Sequence, residues 1–475
     1  MPESMSSRTL KLASIFLAAC GPAMLCAQVS SSSLLPLGRS DALFSSDPDG
    51  GGQTPKPPAQ LPPRTNPPAQ LTRQQAEQIA AANNPEIKVA QLLANVQAQV
   101  VRETRANQLP NLNGNLTGVE ANEASRISTG SLTASRLLEH AGLGVQVSQL
   151  ITDFGRTKNL IETEKLREKA RLADADATRE DIILATDQVF YEAIEAQATL
   201  QVANETVKER QTLVDQVSAL TSAQLKSDLD LSFAQVNLSQ AKLLVLDAQN
   251  NLDSAKAALT AVLGFDGRTD YQLIEDTGDL PVLTTDAETA VNTALQSRPD
   301  LQSLRFSEEA AQKFRNAQRD QLLPTINALG VVGYTPLGSS QYFISDWYGA
   351  VGVNIGIPIF NGFRYQAQAA EAALEARAAS ERTRDLQNQV VRDVRTAWLT
   401  ANAALQKVTV SAELVKQANV ALTLAQTRYQ LGLSSIVELS QAQLQQTQAA
   451  IGNANARSQV GFAYSGLQFQ TAAIR

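Results

Sequence analysis

The chain is written twice. Asn84-Pro85-Glu86-Ile87 recurs 214 residues later as Arg298-Pro299-Asp300-Leu301, and Leu109-Pro110 recurs at the same offset as Leu323-Pro324. Farther on the offset becomes 208: Asp153 and Arg156 match Asn361 and Arg364, Phe190 matches Trp398, Val207 matches Val415, and Ala234-Gln235 matches Ala442-Gln443. The change of offset falls between Pro110 and Asp153, where the first copy carries the longer loop. One offset held over such a length marks a duplicated structural unit, so each element found in one copy is expected in the other. Copy one spans about 71–270 and copy two 285–472.

Each copy opens on a helical stretch, about 72–108 and 286–322, that stops before a proline. Pro85 and Pro299 follow a polar break near its start, which suits a short helix followed by a long one. Two strands come next, about 111–121 and 137–151 in copy one, 325–335 and 347–360 in copy two. Leu143, Val145 and Val147 alternate with small or polar residues, as do Val351, Val353, Ile355 and Ile357. That two-residue period puts apolar side chains on one face. The runs are about the 9 to 11 residues a strand needs to cross a bilayer. A strand of a soluble sandwich alternates in the same way. Trp347, Tyr348 and Tyr334 flank the second loop, where interfacial aromatics sit.

Long helices follow, about 156–222 and 364–430, each with a return helix, about 230–263 and 438–470. At about 1.5 Å per residue the outgoing helices reach roughly 100 Å. Ile182, Ala185, Val189, Ala193, Ala196, Leu200, Ala203 and Val207 step by threes and fours, the spacing of a coiled-coil seam. Aromatic residues are only 5% of the chain. Small side chains dominate the helices, which favours close helix–helix approach over a thick globular core.

The front of the chain is of another kind. Arg8 and Lys11 precede an apolar stretch from Leu12 to Leu25, the pattern of an export signal over residues 1–27. Two readings compete: ordinary cleavage after Ala27, or acylation at Cys20 within Leu17-Ala18-Ala19-Cys20. Residues 28–70 are rich in Ser, Pro and Gly and read as a flexible linker, with too little apolar surface to offset ordering. Cys20 and Cys26 are the chain's only cysteines, so disulfides and thiolate metal sites are excluded from the body.

No other segment is apolar over the 18 or so residues a membrane helix needs. A chain of this kind spans a membrane only as a closed β-barrel. Two copies supply four strands, and four cannot close a barrel, so subunits must share one. Two chains would give eight strands and three would give twelve. The expected fold is mainly α with a small β part: strands in an outer membrane, surrounded by its lipid, and long helices projecting into the periplasm.

The sequence resembles the TolC-like outer-membrane efflux proteins over about residues 71–472. The most specific stretch is Thr427-Arg428-Tyr429-Gln430-Leu431-Gly432-Leu433-Ser434-Ser435-Ile436-Val437-Glu438-Leu439-Ser440-Gln441-Ala442-Gln443. Asp153-Phe154-Gly155-Arg156 and Phe360-Asn361-Gly362-Phe363-Arg364 are similar to the family's strand-to-helix junctions. The resemblance implies a homotrimer with a twelve-stranded β-barrel and a twelve-helix α-barrel. It also implies docking to a periplasmic adaptor and an inner-membrane transporter, as the exit channel of a tripartite efflux or type I secretion system.

It further implies acidic side chains at the periplasmic constriction, just after each hairpin turn. The matching position in copy two is Glu438, whose register mate is Asp230; Asp228 is nearby, and Gln441 stands where the family often has a second acid. Carboxylates around a narrow opening would attract cations. The plainer alternative is that Asp230 and Glu438 are helix N-terminal acids favoured by the macrodipole. The turns Gln224-Leu225-Lys226-Ser227 and Gly432-Leu433-Ser434 are the expected adaptor-docking tips, or else ordinary hairpin turns. Gln224 departs from the family's glycine, which predicts a looser or differently docking first hairpin. At the junctions Gly155 and Gly362 permit the sharp change of direction, Asp153 and Asn361 are natural N-caps, and Arg156 and Arg364 anchor the start of the helix.

Other classes fare worse. The body carries one histidine, His140, on a strand, and neither a phosphate-binding glycine loop nor paired metal-ligand spacing, so no catalytic residue, metal or cofactor is expected. A net charge of −7 gives no basic surface for nucleic acid. A periplasmic or surface coiled-coil scaffold or adhesin would share the long helices, but would not account for a strand pair recurring in both copies.

Overall fold

The structure is a computed structural model that describes residues 70–119, 140–267, 271–274, 283, 286–338 and 347–474. The export signal, the acylation reading at Cys20, the linker up to residue 69 and most of both inter-strand loops lie outside the described residues.

Copy one runs β1 (Gln70–Leu71), α1 (Arg73–Asn83), α2 (Pro85–Ala106), β2 (Asn111–Val119), β3 (His140–Thr152), α3 (Arg156–Ser222) and α4 (Asp228–Val262). After β4 (Gln272–Leu273), copy two runs α5 (Ala287–Ser297), α6 (Pro299–Asp320), β5 (Thr325–Gly338), β6 (Trp347–Gly356), α7 (Arg364–Gln430) and α8 (Ile436–Gln470). Both ends of α1 and α2 recur in α5 and α6 at an offset of 214, and both ends of α3 and α4 recur in α7 and α8 at 208.

Local chemistry explains the breaks. Pro85 and Pro299 take the first position of α2 and α6, where a missing N–H costs nothing. The Asn84 side chain accepts from Glu86 N–H at 2.8 Å and caps α2, while Thr72 and Gln75 form a capping box on α1. The 67-residue α3 and α7 contain no proline. Thr163, Thr178, Thr186 and Thr206 turn their hydroxyls onto the carbonyl four residues back, so these polar groups carry no unsatisfied donor into the packing.

Burial on α3 is wider than the single seam that the spacing suggests. Ile182, Ala193 and Ala203 are buried, but so are Ile183, Thr186, Asp187, Phe190 and Ile194, because α3 packs on α1, α2, α4, α6 and α8 together. Leu71, Ala76, Ala80, Phe190, Ile194, Leu259, Leu263, Tyr271 and Leu273 form the main apolar core. The short parallel β1–β4 pair closes one side of it, with Gln70 opposite Gln272. Asp187 is wholly buried and held by Arg73 Nη1 at 3.3 Å. Its copy-two equivalent is Arg395, paired with Glu288 at 2.8 Å. The charges are therefore reversed between copies.

Four strands form one antiparallel sheet in the order β2-β3-β5-β6. The register aligns Leu112, Val147, Gly330 and Val351 across the sheet on one face, and Asn113, Gln146, Val331 and Ala350 on the other. One face is apolar and exposed; the other is mostly polar or small, with Leu329, Val331 and Tyr348 as its larger members. Gly144, Gly333 and Tyr348 share a row, and the Tyr348 ring lies across both glycines: a Cβ on Gly333 would fall 2.3 Å from the phenol. Tyr334 and Trp347 pair at the loop end with ring centroids 5.0 Å apart.

The structure changes one strand boundary in an informative way. β6 stops at Gly356, not at 360. The equivalent end of β3, Gln149 to Thr152, is held in the sheet by pairing to β5. Among the described residues, 357–360 have no such neighbour.

Gly333→Val should lower stability by about 1–3 kcal/mol, because the Tyr348 ring must leave its seat. Tyr348→Ala in the same chain should recover part of that loss. Thermal midpoints of the two variants in detergent check this; equal midpoints would remove the ring-on-glycine contact from the account.

Candidate functional site

At each strand-to-helix junction the chain turns through two successive residues of positive φ. In copy one these are Phe154 (54°) and Gly155 (110°), in copy two Gly362 (65°) and Phe363 (63°). The glycine thus sits second in one copy and first in the other, and a phenylalanine takes the remaining left-handed place each time. This moves the helix start past the expected caps. Gly155 and Phe363 occupy the cap positions, with no side-chain capping bond. Asp153 still serves α3 from two residues upstream, accepting from Thr157 N–H at 2.7 Å. Asn361 contributes only its backbone carbonyl, 3.4 Å from Arg364 N. Arg156 and Arg364 open the two helices, and Arg364 lies beside the Tyr365 ring. Asp320, at the end of α6, accepts from Asn159 at 2.7 Å and ties the first junction to copy two.

At the far end of the helices the two hairpins close on matching turns. Leu225 N–H bonds to Leu220 O at 2.8 Å, and Leu433 N–H to Arg428 O at 2.8 Å. Gln224 has φ of 62° and Gly432 has 76°. The expectation of a looser first hairpin is therefore corrected: Gln224 adopts the glycine conformation, at a steric cost of about 1 kcal/mol. Leu225 and Leu433 stand 70% and 66% exposed at the two tips.

The two acids expected at the constriction are third in their helices. Asp230 N–H donates to Ser227 Oγ at 3.2 Å, and the Asp230 carboxylate accepts from Ser227 N–H at 3.2 Å, a complete capping box. Ser435 caps α8 through Glu438 N–H at 3.4 Å, but the Glu438 carboxylate turns to Arg428 Nε at 3.1 Å. Both are thus helix N-terminal acids, and both remain at least partly exposed. Asp228 and Gln441 are exposed.

Packing brings both hairpins of one chain together at this end. Val217 of α3, Ala234 of α4, Leu422, Ala425 and Tyr429 of α7, and Ile436 and Leu439 of α8 make one apolar cluster. Asn237 donates to Ser440 Oγ at 2.8 Å, linking α4 to α8. Lys226 Nζ lies 4.1 Å from the centroid of the Tyr429 ring, a cation–π contact joining the first tip to the second. Burial, and then the Asp230 carboxylate, push the Tyr429 phenol above its ordinary range. A cleft of about 290 Å³ opens beside it, lined by Lys226, Gln216, Leu220, Tyr429 and Gln443 among others. Sequence reasoning assigned no role to Tyr429 or Arg428. The apolar spacing Leu422, Ala425, Tyr429 was the available signal for the first. The Arg428 pairing crosses the turn and leaves no periodic trace.

A second charged cluster lies away from the tips, where α3 passes the start of α6. Arg298 holds Asp300 at 2.6 Å and also reaches Gln470. Glu180 faces this pair; burial first, and then Asp300, raise its carboxyl to about 7, with Arg298 opposing. Asp181 is raised by the same two causes.

The outer membrane efflux protein family model matches residues 77–265 and 290–471 of the chain. The chain is 23% identical to outer membrane protein TolC of Salmonella enteritidis over 403 residues, 81% of this chain and 78% of that protein. It is 24% identical to cation efflux system protein CusC of Escherichia coli over 370 residues, 77% of this chain and 78% of that one. Its fold matches the crystal structure of the Campylobacter jejuni CmeC outer membrane channel with a TM-score of 0.73 at 18% identity, over 84% of this chain and 85% of that chain.

Two expectations follow. Gly432→Ala should destabilise the second hairpin by about 1–2 kcal/mol, whereas Gln224→Gly should be neutral or stabilising, since only the first adds a Cβ at positive φ; urea midpoints compare them. The Glu180 carboxyl is raised in the folded state, so its contribution is present in full below about pH 4.5 and is lost as pH rises through about 7. Glu180→Gln should therefore stabilise the chain at pH 8 and lose that advantage near pH 4.5; a pH-independent difference would contradict this.

Proposed function

The chain belongs to the outer membrane efflux protein family, and from that premise we propose that it is the exit duct of a tripartite efflux or type I secretion assembly. The family is one of channels, and this chain is an outer-membrane efflux channel subunit whose helices extend into the periplasm. Beyond this, the proposal is that three copies share one barrel of twelve strands, four from each chain, continued by the twelve long helices α3, α4, α7 and α8 of the three chains. Cargo passes without chemistry by this chain. An inner-membrane transporter supplies the driving force, and a periplasmic adaptor docks at Leu225, Lys226, Leu433 and the turns that carry them.

The carrying observation is that one chain presents an amphipathic four-stranded sheet, open at both edges among the described residues, on two hairpins of 67-residue outgoing helices. At about 1.5 Å per residue those helices extend roughly 100 Å. A coiled-coil scaffold needs no such sheet. Asp230 and Glu438 form the mouth of the duct, one acid from each hairpin, six in the trimer. Converging carboxylates attract cations and repel anions there.

Purified protein in a planar bilayer should give discrete conductance steps that a multivalent cation blocks from the helix side. Asp230→Ala with Glu438→Ala should weaken that block by about tenfold or more, as expected when six charges leave a confined opening. Unchanged block would remove both acids from the mouth, and absence of any conductance would favour the scaffold.

A further inference from the structure

The cleft of about 290 Å³ beside Tyr429 lies between the two hairpins of one chain. Leu213, Val217 and Leu220 of α3 and Leu439 of α8 give it aliphatic walls. Two polar side chains stand among them. Tyr429 is 4% exposed and Gln443 is 3% exposed, and both line the cleft. The Tyr429 hydroxyl and the Gln443 amide oxygen are shut off from solvent, and among the described residues neither has a hydrogen-bond partner. Buried polar atoms are ordinarily paired, because an unpaired one costs free energy. Phenylalanine and leucine would fill the same places without that cost.

The duplication does not call for these groups. At the offset of 208 the mates of Tyr429, Gln443 and Lys226 are Thr221, Gln235 and Ser434. They supply neither an aromatic ring nor a cation, and Gln235 is exposed where Gln443 is buried. The arrangement is therefore built once per chain and is not a by-product of how the repeat packs.

The unpaired atoms define what would complete them. Burial and the Asp230 carboxylate keep the proton on the Tyr429 phenol, so that group needs an acceptor. The Gln443 amide oxygen needs a donor. One hydroxyl group is both. The rest of the occupant must be apolar to lie against the leucines. Lys226 Nζ, 4.1 Å from the Tyr429 ring centroid, favours a second aromatic face over an aliphatic one. The occupant must also be uncharged. Glu209 lines the cleft and Asp230 acts on the phenol, so a carboxylate would meet two charges of its own sign against Lys226 alone.

We propose that this cleft binds a small uncharged phenol, whose hydroxyl accepts from Tyr429 and donates to Gln443 while its ring lies on the leucines beside Lys226. The site goes beyond the channel reading and does not depend on it, since every group in it belongs to one chain.

4-Fluorophenol is the probe, read by fluorine NMR on the purified full chain in detergent against the same detergent without protein. Line broadening should saturate with a Kd of about 1 mM, ordinary for so small a ligand. 4-Fluoroanisole, which keeps the ring but has no hydrogen to donate, should bind about fivefold more weakly, as for the loss of one hydrogen bond. Tyr429→Phe should weaken 4-fluorophenol by the same factor. Tyr429→Phe with Gln443→Leu should abolish binding while the thermal midpoint stays at or above that of the parent chain, because both replacements fill the space they inherit. The location has its own test. The body of the chain has no cysteine, so Gln216→Cys places a single thiol on the cleft wall, and 4-fluorophenol should slow its reaction with a maleimide. Broadening no greater than in empty detergent, equal binding of 4-fluoroanisole, binding untouched by the double variant, or an unchanged maleimide rate each overturns the site. None of these outcomes bears on conductance, so the channel reading stands or falls separately.

Discussion

Everything in this chain answers to the backbone hydrogen bonds of four strands. In hydrocarbon an unpaired N–H or C=O has no water to turn to, and each costs several kcal/mol. Among the described residues, the sheet β2-β3-β5-β6 has three internal pairings and leaves two edges. The chain is therefore complete only as part of a ring.

The long helices carry that ring geometry away from the membrane. Each begins on a pair of left-handed residues that turn the strand direction into the helix direction, and each runs 67 residues without a proline. At the far end the same chemistry appears twice, a serine cap with an acid at the third helical position, yet the two acids are used differently. Asp230 is folded back onto Ser227, whereas Glu438 pairs with Arg428 across its own turn. The cation–π contact of Lys226 with Tyr429 then couples the hairpins. The copies also differ in charge: Asp187 pairs with Arg73 in the first, whereas its equivalent Arg395 pairs with Glu288 in the second, and Arg167, Asp174 and Asp176 of α3 correspond to Glu375, Arg382 and Arg384 of α7.

Much of this was legible in the sequence. Proline-free runs bounded by turn residues gave α3 and α7, and the two offsets related their ends, because helix length and register are set locally. What was not legible depended on contacts between distant residues or on rare backbone geometry. Nothing marks Phe154, Phe363 or Gln224 as left-handed, since that conformation is imposed by the turn and not preferred by the side chain. A single heptad seam missed Asp187 and Phe190, because α3 has neighbours on several sides. The end of β6 at Gly356 could not be read from alternation, which continues through Ile359. The candidate mouth was partly legible: Asp230 and Glu438 stood in register, while Tyr429 and Arg428 acquire meaning only once the hairpins are folded together.

The central claim is that one chain supplies a third of a closed barrel. Native mass spectrometry of the protein released from a mild detergent measures the copy number directly. Three chains per particle, with the monomer appearing only on denaturation, is the expected result. A stable monomer, or a particle whose copy number cannot close a barrel from four strands each, would contradict the account.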